Sequence, residues 1–83
     1  MKNKYLAVIA YANGYTLWNY RDMSIKLDDA INNQEFFKEL YNLTAVGDII
    51  QVIANDGAAE VVVYKVEDKT CFIKTMCKVY YED

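Results

Sequence analysis

The segment from Val46 to Val66 constrains this 83-residue chain more than any other. Gly47-Asp48 interrupts whatever precedes it, and the apolar run Ile49-Ile50-Gln51-Val52-Ile53-Ala54 then begins. Asn55-Asp56-Gly57 supplies residues that tolerate positive φ, as a short hairpin turn requires. A second run, Ala58 to Val66, is rich in β-branched valine and stops at the polar Glu67-Asp68-Lys69. A third, Thr70 to Tyr80, completes a three-stranded meander. Period-two alternation assigns the faces. Gln51 outward sends Ile50, Val52 and Ala54 inward, and Lys65 outward sends Val62, Tyr64 and Val66 inward. Lys74 and Lys78, together on the outer face of the last strand, place Cys71, Ile73, Cys77 and Val79 inward.

Upstream, Tyr5 to Ala12 is a continuous apolar run, the pattern of a strand buried on both faces. Asn13-Gly14 is the strongest short hairpin signal, and Tyr15 to Arg21 reads as the return strand. Neither face of that strand is clearly polar, so one face packs inward and the other is free to meet a partner. Asp22 to Ile31 reads mostly as loop. Asn32 to Leu43 predicts the one helix, with Asn32 as N-cap and Glu35 at the capping-box position. Phe36, Leu40 and Leu43 would form its apolar stripe, widened by Phe37 and Tyr41, and Phe36 and Phe37 read as core. The expected fold is α+β and mainly β: a single small domain over residues 1–83. Its inventory is a small antiparallel sheet or partly open barrel of about five strands with one short helix. An oligonucleotide-binding barrel has the same inventory, but fold does not fix function.

A chain this short buries only about 60% of its unfolded surface, so docking on a partner adds much to its stability. Tyrosine is the compositional outlier, with eight residues beside the single Trp18. Such side chains suit wet core edges and interfaces alike. The net charge is −3, which argues against a phosphate-gripping surface. The nearest basic group is Lys65, Lys69, Lys74 and Lys78, read as a solvated sheet face. Cys71 and Cys77 lie six apart on one predicted strand, roughly 20 Å from each other, whereas a disulfide needs Cα atoms within about 7 Å. Free buried thiols and a reducing compartment follow. The basic start and apolar run of residues 1–12 mimic a signal peptide but fall short of its usual length of about 15. The expectation is a strand, not a secretion signal. No run reaches the 18 or so apolar residues of a membrane helix.

The chain has no histidine, the commonest general base and metal ligand. Asp28-Asp29 and Glu67-Asp68 are adjacent acids in polar connections, where neighbouring side chains diverge. Asp48, Asp56 and Glu60 could gather near one sheet end around a cation, yet no calcium-loop spacing is present. The expectation is no catalytic residue, no metal and no cofactor. A nucleic-acid surface would interleave basic and aromatic residues, and only Arg21 accompanies Tyr15, Trp18 and Tyr20. The same aromatics suit a protein interface. The candidate interface residues are Tyr11, Tyr15, Trp18, Tyr20, Arg21, Tyr80 and Tyr81, with the segment Tyr80-Tyr81-Glu82-Asp83 as a further contact.

The order Leu17-Trp18-Asn19-Tyr20-Arg21, Phe36-Phe37, Val46-Gly47-Asp48-Ile49-Ile50, Asp56-Gly57 and Val61-Val62-Val63 resembles small virion-associated proteins of tailed bacteriophages. The likeness spans Tyr15 to Val66. It departs where those proteins carry glycine before the aromatic pair and this chain has Glu35, and again over Asp22 to Ile31. The resemblance implies a phage structural protein made in the host cytoplasm and resident in the virion. With the short length, it points to a capsid decoration (cement) or head-fibre-base protein. Such a protein would bind the major capsid protein or other virion proteins through an aromatic face, as a homo-oligomer. The alternatives are a single-stranded nucleic-acid-binding protein and a phage protein that binds a host protein.

Overall fold

A computed structural model describes residues 1–81. Five strands form one open mixed sheet in the order β1-β2-β3-β4-β5. They are β1 (Leu6–Ala12), β2 (Tyr15–Arg21), β3 (Ile49–Ile53), β4 (Gly57–Glu67) and β5 (Thr70–Tyr80). The fold is mainly β with one short helix, as the sequence predicts. The sheet differs from the expectation in one pairing: β2 runs parallel to β3, with Leu17 opposite Ile49 and Arg21 opposite Ile53, while all other neighbours are antiparallel. A parallel pair needs a crossover of a dozen or more residues. The chain from Asp22 to Asp48 is that crossover, and it covers one face of the sheet. The buried inner face consists of Tyr20, Ile50, Val52, Ala59, Val61, Val63 and Cys71. Against it pack Leu27, Ala30, Ile31, Phe37 and Leu40 from the crossover.

The helix lies where a loop was expected. It is α1 (Leu27–Ile31), and Leu27, Ala30 and Ile31 bury one face at i, i+3 and i+4. Asp28 and Asp29 sit in its first turn, and the Leu27 N–H donates to Asp56 Oδ1 at 2.8 Å. The predicted helix over Asn32–Leu43 is instead a turn followed by a 3-10 segment, Lys38–Asn42. Asn33, not Asn32, makes the local cap, accepting from the Glu35 N–H at 2.9 Å. Tertiary packing explains the change. Phe36 and Phe37 both set their rings edge-on to Tyr20, at 5.6 and 5.5 Å, and to each other at 4.9 Å. Adjacent positions on an α-helix do not share a face, so both rings reach Tyr20 only if the helix is abandoned.

Turn chemistry follows the sequence with one exception. Gly14 has φ +94° in the two-residue β1–β2 turn, and Asp68 and Lys69 both adopt positive φ between β4 and β5. Gly57 needs no positive φ. It is glycine because a Cβ there would collide with the Val79 carbonyl and crowd Leu27.

Two bulges between β4 and β5 revise the face assignments there. Val63 pairs with Ile73 and Lys65 with Phe72, leaving Tyr64 as an extra residue in β4. Glu60 pairs with Cys77 and Val61 with Thr75, leaving Met76 extra in β5. Each extra residue reverses the alternation. Val66 therefore faces inward as expected, but Val62 and Tyr64 face outward and Val61 and Val63 fill the core. Cys71 is buried, whereas Cys77 and Val79 are exposed on the outer face. Lys74 and Lys78 consequently lie on opposite faces. A further correction concerns β1, which is not a buried strand but the sheet edge, with Val8, Ile9 and Tyr11 exposed.

Burial pushes the Cys71 thiol above its ordinary value, which removes the reactive thiolate. Under native conditions a thiol-alkylating reagent should therefore modify Cys77 alone, and Cys71 only after denaturation. Peptide mass spectrometry checks this: native labelling of Cys71 would contradict its burial, and an unlabelled Cys77 would contradict the Met76 bulge that exposes it.

Candidate functional site

At the β1–β2 hairpin end, an open cleft of about 430 Å³ lies between the hairpin and the end of the crossover. Tyr11, Tyr15 and Thr16 line one side, Leu43 and Ala45 the other, and Asp48 the floor. Tyr11 is 82% exposed and Leu43 53%, and Val46 is exposed close by in sequence. The hairpin itself carries no formal charge from Tyr5 through Tyr20. The cleft thus combines exposed Tyr11 and Leu43 with polar Thr16, Asn42 and Thr44 in its lining, over a fixed base.

Asp48 does the fixing. It is buried, and its carboxylate accepts three N–H groups: Thr16 N at 3.0 Å, Trp18 Nε1 at 3.1 Å and Ala45 N at 3.1 Å. Its backbone holds β4, accepting from Val63 N at 2.9 Å. Gly47 precedes it with φ +99° and donates to the Val63 carbonyl at 2.8 Å. The Gly47-Asp48 step therefore joins the crossover, the hairpin and the central sheet at one point.

The predicted interface residues do not share one face. Tyr11 and Tyr15 flank the cleft. Trp18 is half-buried against the core with its N–H occupied by Asp48, so it is not a free anchor. Tyr20 is fully buried and cannot touch a partner. Its ring is surrounded by Tyr5, Phe36 and Phe37, and its hydroxyl accepts from Lys2 N and donates to Asp22 Oδ2, both at 3.1 Å. Arg21, Tyr80 and Tyr81 are exposed at the far end of the sheet. There the Tyr80 hydroxyl donates to Asp28 of α1, which raises the pKa of Tyr80, and Tyr81 N donates to the Asp56 carbonyl at 2.8 Å. Glu82 and Asp83 lie outside the described residues. Leu43, Ala45 and Val46 were missed as surface; the step from apolar Leu43 into Gly47-Asp48 was the available signal.

The acids considered for a cation are apart. Asp48 precedes β3 and Asp56 follows it, and each accepts backbone N–H groups. Among the described residues no group of three or more His, Cys, Asp or Glu is placed to hold a metal ion. No helix there is long and apolar enough to cross a membrane. No family model matches this chain, and no curated protein or solved structure is significantly similar to it.

Replacing Asp48 strands three donors. Asp48→Ala should lower stability by about 2–4 kcal/mol, and Asp48→Asn by less, read from urea unfolding followed by Trp18 fluorescence. A loss below about 0.5 kcal/mol would contradict the role of Asp48 as a tie point.

Asp22 gives a pH signature. The Ser24 hydroxyl, 2.6 Å from Oδ1, is the first reason its carboxyl is held below the ordinary 3.8; burial opposes this, and Ser24 N and Tyr20 support it. A carboxyl lowered in the folded state stabilises fully above its unfolded value, and that contribution is lost as pH falls through the folded value. Urea midpoints should therefore fall on acidification below about pH 4, and Asp22→Asn should flatten that limb. An unchanged acid limb in Asp22→Asn would refute the assignment.

Proposed function

We propose that this chain is a structural binding protein of a tailed bacteriophage particle, a capsid decoration (cement) or head-fibre-base protein that seats its hairpin-end cleft on capsid subunits. The observation that carries the binding role is the exposed Tyr11 beside Tyr15 and Leu43, over a base fixed by Asp48, on an uncharged hairpin. Tyrosine anchors beside a rigid recess and few charges are what interface centres contain. The particle as the partner comes from the ordered resemblance between Tyr15 and Val66.

A second reading rests on the outer face of β4 and β5. Tyr64 and Phe72 lie 6.3 Å apart, with Lys74 Nζ over Tyr64 at 4.8 Å and Lys65 Nζ over Phe72 at 4.9 Å. Lysines interleaved with aromatics on one face suit a single nucleic-acid strand. The acidic net charge and the Lys65–Glu67 ion pair at 3.5 Å oppose it.

Mass spectrometry of purified, nuclease-treated particles from the encoding phage tests the main reading. The expected result is this chain at high copy number per capsid, with occupancy falling at least tenfold in Tyr11→Ala/Tyr15→Ala, equivalent to about 1.4 kcal/mol of binding. Absence from particles would overturn the capsid role. Salt-sensitive retention on single-stranded DNA would then favour the second reading, and recovery with a host protein would direct the cleft to that target.

A further inference from the structure

We propose that two copies of this chain pair edge to edge through β1, about a two-fold axis, joining their sheets into one of ten strands. The sheet has two free edges, β1 and β5, and both present unpaired backbone groups. They differ in protection. The exposed half of β5 carries Lys74 and Lys78 with no acid between Thr70 and Tyr80. Antiparallel self-pairing there would bring lysines towards their own copies, and edge lysines are a common guard against such pairing. β1 is Leu-Ala-Val-Ile-Ala-Tyr-Ala, and the uncharged stretch extends from Tyr5 through Tyr20.

In a two-fold antiparallel pair residue i of one strand meets residue j of its copy and j meets i, so a strand whose charges are all of one sign brings like charges together. A strand with no charge is the composition that escapes this repulsion. Its sequence is also that of a central strand, an unbroken apolar run, and the monomer leaves Val8, Ile9 and Tyr11 exposed. Pairing with a second β1 makes it central. Both edge strands carry a bulge, Ile9 in β1 and Met76 in β5, so the bulges do not distinguish the two edges and charge does; pairing of β1 would use the three-residue stretches on either side of Ile9. A typical stable interface covers about 800 Å² per partner, more than one short strand provides, so the association expected is in the micromolar range.

Sedimentation equilibrium of the full chain over roughly 1 µM to 1 mM is the test, with isotope-filtered NMR on mixed labelled and unlabelled chains. The expected result is a reversible rise to twice the 9.6 kDa of one chain, with inter-chain contacts between β1 backbones. Ile9→Lys, or Ala7→Lys if Ile9→Lys fails to fold, should weaken association at least tenfold with native Trp18 fluorescence. Lys74→Glu on β5 should leave it unchanged. A monomer throughout, or an oligomer without β1–β1 contacts, overturns the inference. It stands apart from the capsid reading: a β1 dimer that ignores particles leaves it intact.

Discussion

The parallel contact between β2 and β3 governs this structure. Two adjacent parallel strands cannot be joined by a tight turn, so the chain must cross the sheet between them. Here most of the inner cover derives from that one excursion, and Met1 and Tyr5 add to it from the N-terminal segment. Both of its ends are secured by buried aspartates: Asp22, immediately after β2, and Asp48, immediately before β3. A buried carboxylate is costly unless hydrogen-bonded, and each accepts several donors from chain that changes direction nearby. The third tie, Asp56 to the Leu27 N–H, fixes α1 to the β3–β4 turn. Two of the acids weighed for chemistry in the sequence, Asp48 and Asp56, are thus structural, as is Asp22.

What was legible followed from local chemistry. Asn13-Gly14, the valine-rich run and the polar turn at Asp68-Lys69 each specify φ or pattern within a few residues, and the strands they predict are present. What was not legible depended on distant partners. Phe36 and Phe37 carry helical spacing but answer to Tyr20, which no window around them contains. α1 is five residues long, and its cap comes from Asp56. The bulges at Tyr64 and Met76 reverse alternation without a composition change, so parity anchored on Lys65 or Lys78 fails beyond them.

The aromatic residues show the same limit for the site. Tyr11 and Tyr20 are the same residue type, nine positions apart on paired strands, yet one is the most exposed large hydrophobic side chain among the described residues and the other lies at the centre of the core. The difference is set by the crossover, which lies over Tyr20 and stops short of Tyr11. Trp18 sits between these extremes, with its ring against the core and its N–H on Asp48. Composition marks the chain as rich in contact residues, but only topology divides them between core and cleft.

Covering one face of an open sheet has a consequence for stability. The outer row Leu17, Ile49 and Val62 is only half-buried in the monomer. In a domain this small, burial of such surface against a partner is a larger fraction of total stability than in a large one. Any partner that binds only the folded chain also stabilises it by mass action. Charge placement sets where that gain is available: lysines accompany β5 and the Tyr64–Phe72 pair, while the hairpin has none. The chain is therefore discouraged from self-association at one edge and left open to contact at the other, and that asymmetry follows from side-chain charge on a symmetric-looking strand order.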